Sequence, residues 1–333
     1  MSISQQLLSS VAQFSRASSV SHTQIIQTLW GGYGTLFRAY LNGAEIPSVV
    51  VKYIELPQPK SHPKGWNTVT SHQRKLDSYQ VEVNWYQSFA NKSHNGCFVP
   101  HCVYVERLDN AILLILDDLT PAGYSEVVIS ARQEHVEACL SWLAFFHAQH
   151  LHPVHSSSTQ YSALWSSGTY WHLATRPDEL NALQDQRLKQ AASLIDQTLN
   201  DAQYQTLVHG DAKLANFCFT PEGTKAAAVD FQYVGQGCGM KDVILLLSSV
   251  LDFTKAEVQA PTYLDYYFAQ LSKALAALQP HLNAQSVEQE WRDLYPVAWA
   301  DFQRFVKGWS PAHWKINDYT EALTVQALDQ LGA

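Results

Sequence analysis

Two carboxylates and one amide stand out by their spacing. In Val208-His209-Gly210-Asp211-Ala212-Lys213-Leu214-Ala215-Asn216-Phe217, Asp211 and Asn216 lie five residues apart, and Val229-Asp230-Phe231-Gln232 brings a second Asp fourteen residues after Asn216. Between them, Phe217-Cys218-Phe219 and Ala226-Ala227-Ala228-Val229 flank a Pro221-Glu222-Gly223 turn. The pattern reads as loop, strand, hairpin, strand, and it returns Asp230 beside the loop of Asp211 and Asn216. Phosphoryl transfer asks for such a set. One carboxylate accepts a hydroxyl proton and aims the oxygen; a second carboxylate and an amide oxygen hold magnesium against a triphosphate. A lone Asp is usually a cap and a lone Asn a turn, but accident explains the joint spacing poorly.

The elements that must position these groups divide unevenly along the chain. Residues 1–20 read as a short helix or arm, and residues 24–54 as strands. Ile25–Trp30 leads into Gly31-Gly32-Tyr33-Gly34, then Leu36–Tyr40, the Asn42-Gly43 turn and Ser48–Ile54. Residues 55–70, with three Pro, read as a loop; 72–90 as a helix; Val103-Tyr104-Val105 and Ile112–Leu116 as strands. Thr120-Pro121-Ala122-Gly123 breaks the composition. Beyond it the periodicity is helical: Val136, Leu140, Leu143 and His147 share a face, residues 179–199 repeat the pattern, and 240–333 reads as helices, with 205–232 the exception. This predicts an α+β plan with a β-rich first lobe over 1–119 and a mainly helical lobe over 120–333 carrying the catalytic loop and acceptor site.

Bulk composition narrows the class. A chain of 333 residues fits two lobes, and 46% hydrophobic against 16% charged residues argues against disorder. The net charge of −8 and the lack of a basic run predict no nucleic-acid partner. Five cysteines at irregular spacing, with no CxxC pair, fit reduced thiols in the cytoplasm. The longest apolar run, Val243–Leu247, is far too short for a bilayer, and no basic-then-apolar leader begins the chain. The expectation is a soluble cytoplasmic protein without membrane contact or obligate protein partner.

HGDxxxxN followed by DFQ resembles the aminoglycoside phosphotransferase and choline kinase superfamily, most closely its ecdysteroid-kinase-like branch. The resemblance implies a protein-kinase-like two-lobed fold and an enzyme that moves phosphate from ATP, with Mg2+, to a hydroxyl of a small molecule. Asp211 then orients the hydroxyl, Lys213 contacts the transferred phosphate, and Asn216 and Asp230 hold the metal. Lys52, inside Val49-Val50-Val51-Lys52, looks like the strand lysine on the α- and β-phosphates, and Glu82 like its helix partner. Asp117, Asp118 and Leu119 resemble the hinge whose backbone meets adenine. Asp242 resembles the family's helix-starting Asp, a cap or a brace for the catalytic loop.

Gly31, Gly32 and Gly34 stand where a loop covering the nucleotide belongs, although hairpins need glycine anyway. No GxxxxGK[ST] run exists, and the strand after the glycines disfavours a Rossmann unit. Protein kinases would read HRD and DFG; Gly210 and Gln232 replace the Arg and the Gly. The superfamily branch points to an apolar, steroid-like or other alcohol as acceptor, whereas an aminoglycoside or choline would need an acidic pocket. Trp291, Tyr295, Trp299, Trp309 and Trp314 are candidates for its wall, with plain core packing favoured for any one of them. His147, His150, His152 and His155 invite a metal reading, but Pro153 breaks their helix and packing is preferred. Two other readings stay open: a catalytically inactive nucleotide-binding module and a protein kinase.

Overall fold

The computed structural model describes residues 3–29, 32–56, 69–90, 96–153 and 159–333. Trp30, Gly31, His155 and most of the 55–70 loop lie outside them. The described residues form two compact units, one of residues up to 90 with Val99–Ser125 and one of 96–98 with Glu126–Ala333.

In the first unit, β1 (Ser19–Thr28), β2 (Gly34–Asn42), β3 (Ser48–Glu55), β4 (Cys102–Leu108) and β5 (Ala111–Asp117) form an antiparallel sheet in the order β1-β2-β3-β5-β4. Strand side chains alternate between faces. Val49 and Val51 of β3 face one way and pack with Phe37, Ile115 and Val11 of α1 (Gln5–Phe14). Ile54 faces the other way, onto Tyr79 and Val83 of α2 (Val69–Ser88). Lys52 shares that second face by its two-residue step from Ile54. β1 begins earlier than the sequence reading put it, at Ser19, because α1 already ends at Phe14.

The second unit is helical around three small strand pairings. Its helices are α3 (Gln133–His150), α4 (Pro177–Ala182), α5 (Gln186–Asn200), α6 (Met240–Val250), α7 (Ala256–Leu278), α8 (Ala284–Trp309) and α9 (Asp318–Leu331). The single helix expected over 179–199 is two: the Asp185 carboxylate accepts the Leu188 amide and starts α5 afresh. The apolar run Val243–Leu247 lies in α6, which is buried from Met240 through Ser248. No helix among the described residues is long and apolar enough to cross a membrane. β7 (Tyr204–Val208) pairs with β10 (Gly235–Gly237) and with β6 (His152–Pro153), and β8 (Phe217–Phe219) pairs with β9 (Ala226–Ala228) in the expected hairpin. Gly223, at φ +77°, closes that hairpin with its amide on the Thr220 carbonyl.

Candidate active site

β7 delivers the chain, fully buried at Val208, into the loop that carries Asp211. Gly210 takes φ +79°, and an added Cβ would meet the backbone of Tyr233 and Thr169. The loop is braced from α6: the Asp242 carboxylate accepts the His209 amide at 2.6 Å and the Gly210 amide at 2.9 Å. His147 of α3 sets Asp242 in turn, with Nε2 3.2 Å from its carboxylate and Nδ1 2.7 Å from the Tyr267 hydroxyl. All three of these side chains are fully buried. Asp242 is thus a loop brace, and His147 is a hydrogen-bonded support for it as well as a packing residue.

Asp211, Lys213, Asn216 and Asp230 converge. The Asn216 amide nitrogen donates to the Asp211 backbone carbonyl at 2.8 Å and to its carboxylate at 2.9 Å. A carbonyl can only accept, so the nitrogen of the amide is the atom turned to Asp211, and Oδ1 remains as the side chain's acceptor. No hydrogen bond to Oδ1 occurs among the described residues. Lys213 Nζ pairs with Asp211 Oδ2 at 2.8 Å. Asp211 Oδ1 is buried with no hydrogen-bond partner among the described residues. The β8–β9 hairpin brings the second Asp back: Val229 N–H reaches the Asn216 carbonyl at 3.0 Å, and Asp230 follows at φ +68°, with Gln232 donating to its carboxylate.

The charges act on one another. Burial raises the Asp211 carboxyl above its ordinary range and the negative Asp230 adds to this, while Lys213 opposes it. Burial lowers Lys213, but its contact with Asp211 outweighs this and the ammonium ends raised. Two residues not singled out in the sequence share this field. Burial, with the nearby Asp211 charge, raises the Tyr170 phenol far above its usual value. Burial lowers Lys315 to about 8, with Asp211 favouring its charge and Lys213 disfavouring it. Tyr170 is held where it is by the backbone: its N–H bonds to the Gly210 carbonyl at 3.2 Å, and Thr169 N–H bonds to that of Tyr233 at 3.2 Å.

In the first unit, Lys52 Nζ lies 2.8 and 2.7 Å from the two Glu82 oxygens, and both side chains are buried. Tyr79, Glu82, Val83 and Tyr86 fall at i, i+3, i+4 and i+7, so Glu82 sits on the buried stripe of α2 and needs a cation there. Gly34, at φ +129°, leaves no room for a Cβ against the Tyr53 backbone, and Gly32 takes φ +78° with its amide on the Leu29 carbonyl. Both glycines therefore have a backbone reason to be glycine; Gly31 lies outside the described residues. Burial pushes the Asp118 carboxyl up, but hydrogen bonds from Arg38, Ser48 and the Thr120 amide outweigh it and hold the group low. Asp117 pairs with His101, its amide donates to the His101 carbonyl, and the Leu119 carbonyl accepts from Ala122 and Tyr124. The side chains of Asp117 and Asp118 thus serve the unit's own structure.

The aromatic wall candidates separate by burial. Trp291 and Trp299 are wholly buried and Tyr295 bonds to the Tyr319 hydroxyl, so these are core residues, whereas Trp314 is 59% exposed. Of the histidine group, His150 meets the Tyr161 hydroxyl and His152 the His150 carbonyl. No cluster of His, Cys, Asp and Glu fit for a metal occurs among the described residues. All five cysteines are free thiols.

No curated protein matches the chain. Among solved structures, choline kinase from Cryptosporidium parvum Iowa II is similar over 98% of this chain and 95% of its own, at 9% identity and a TM-score of 0.58. Ethanolamine kinase from Plasmodium vivax is similar over 93% of this chain and 83% of its own, at 10% identity and a TM-score of 0.51. At such identities the likeness is one of fold, the two-lobed kinase-like fold. The family model that matches is that of the ecdysteroid kinase-like family, over residues 42–170 and 155–280. The chain belongs to the ecdysteroid kinase-like family and is a small-molecule kinase.

Proposed function

We propose that the protein transfers the γ-phosphate of ATP, with magnesium, to the hydroxyl of an apolar small molecule. The observation that carries this is the convergence of Asp211, Lys213, Asn216 and Asp230 on one braced loop. The donor set fits magnesium: the amide oxygen of Asn216 and the Asp230 carboxylate are hard oxygen ligands, and that ion keeps waters for its remaining positions. Bound there, it neutralises charge on the phosphate oxygens. Asp211 takes the proton of the attacking hydroxyl; its buried, unpartnered Oδ1 is the atom for that task. Lys213, 43% exposed at its side chain, leaves Asp211 to meet the transferred phosphate.

Nucleotide binding belongs, in this reading, to the first unit. Lys52, fixed by Glu82, meets the phosphates, Gly31, Gly32 and Gly34 cover them, and the backbone at Asp117, Asp118 and Leu119 meets adenine. Catalysis and the acceptor belong to the second unit. Phosphoryl transfer needs positioning and charge neutralisation more than covalent help, and these residues supply both. The free thiols fit a reducing cytoplasm.

The test is ADP release with purified protein, ATP and magnesium over a panel of hydroxyl compounds. Transfer should require both the acceptor and the metal. Asp211→Asn should lose roughly two to four orders of magnitude in turnover, and near-normal turnover in that variant would refute the assignment.

A further inference from the structure

Lys315 lies in the link between α8 and α9, about a hundred residues beyond Asp211 in sequence. Its backbone is pinned: the N–H meets His313 Nδ1 at 3.2 Å, and the carbonyl accepts from Gln303 Nε2 at 3.0 Å and the Thr320 hydroxyl at 2.9 Å. Its ammonium donates to Ser248 Oγ at 2.9 Å and lies 5.4 Å from the ring centre of Phe302 and 5.5 Å from that of Trp314. The next residue of α6, Ser249, accepts the Leu214 amide at 3.0 Å, three residues past Asp211. Adjacent serines therefore hold Lys315 and the catalytic loop to the same helix.

The ammonium is under-compensated. It has three donors and uses one among the described residues. No carboxylate pairs with it there. Asp211 and Lys213 are the charged groups that act on it, and Asp211 is already committed to Lys213. A half-buried cation without a counter-ion is a cost that folding alone does not explain. The partner it lacks is an anion arriving with the substrate.

We propose that Lys315 selects an acidic acceptor, a ring-bearing or long-chain hydroxy acid whose carboxylate it holds while the hydroxyl meets Asp211. This rests on Asp211 being the base. The exposed Trp314 supplies apolar surface beside the cation, which suits a skeleton that is apolar apart from its acid group. Choline and ethanolamine, named for the two kinases of like fold, are themselves cations, and a second ammonium at this place would be repelled by Lys315 and Lys213.

The test pairs each acid with its methyl ester: cholic acid, 12-hydroxydodecanoic acid and 4-hydroxyphenylacetic acid, assayed for MgATP-dependent transfer and for direct binding by calorimetry. The wild-type protein should favour at least one acid over its ester. Lys315→Met should raise the acceptor KM for that acid by about tenfold or more, the value of one charge-assisted hydrogen bond, and erase the acid-over-ester preference. Lys315→Arg should keep the preference. Equal handling of acids and esters, no binding by any of the six, or a Lys315→Met defect in the KM for ATP instead of the acceptor overturns the proposal. Acid-selective binding that needs Lys315, but with no phosphate transfer, would instead overturn the kinase chemistry proposed above and leave the acid site standing.

Discussion

The backbone of Gly210 lies so close against that of Tyr233 that a Cβ on Gly210 would sit 2.7 Å from the Tyr233 carbonyl carbon, and 2.8 Å from the Thr169 nitrogen. Both obstacles are main chain, so neither can rotate away. The same approach lets Tyr170 N–H bond to the Gly210 carbonyl. An arginine, which a protein kinase would carry here, has no space.

Gly210→Ala is therefore expected to destabilise the fold by about 2–5 kcal/mol, roughly 1–2 from the left-handed backbone and about 1–3 from overpacking. Urea unfolding measures it. A loss under about 0.5 kcal/mol, the range of ordinary surface changes, would mean that the loop relaxes freely and that Gly210 is no constraint.

Lys52 and Glu82 pose a different question, because the ion pair is buried on both sides, at 6% and 2% side-chain exposure. Lys52→Met deprives a buried carboxylate of its ammonium and should cost about 3–5 kcal/mol. A structural pair and a phosphate-binding pair share that outcome. Lys52→Met with Glu82→Leu separates them: replacing both charges by apolar groups restores much of the stability, yet phosphate transfer stays lost if Lys52 meets the nucleotide. A stable double variant with ordinary turnover would make the pair purely structural.

Legibility in the sequence followed the range of the interactions. Asp211, Asn216 and Asp230 were readable because one hairpin of short span brings them together. Lys52 is readable because a charge interrupts an apolar strand, whereas Glu82 is reached only through the family resemblance, its place on the buried stripe of α2 showing in the structure. The split of 179–199 hid in Asp185, a cap whose work shows only when its carboxylate meets Leu188 N–H. Core packing, the preferred reading for each aromatic candidate, holds for Trp291 and Trp299; composition alone does not tell an inner from an outer face. Lys315 and Tyr170 left no local signal. Their place within the electrostatic reach of Asp211 comes from tertiary links, Ser248 and Ser249 on α6 for one and Gly210 for the other. One clue was present for His147, a histidine on the apolar face of a helix, but its partner Asp242 lies ninety-five residues on.

The acid limb of the rate profile tests the electrostatics of Asp211 directly. A base must be ionised to accept a proton, so kcat/KM should fall as pH drops through the Asp211 pKa. Burial and then the negative Asp230 lift that pKa above the usual 3.8, and Lys213 partly restrains it. The limb should accordingly lie above the ordinary carboxylate range. Lys213→Met removes the restraining cation, and the limb should move further up even as the absolute rate declines. The midpoint of the limb is independent of the height of the plateau, so lost phosphate contact and altered titration are read separately from the same curve. A limb at or below the ordinary range, or one that Lys213→Met leaves in place, would show that Asp211 is not the group whose ionisation the reaction needs.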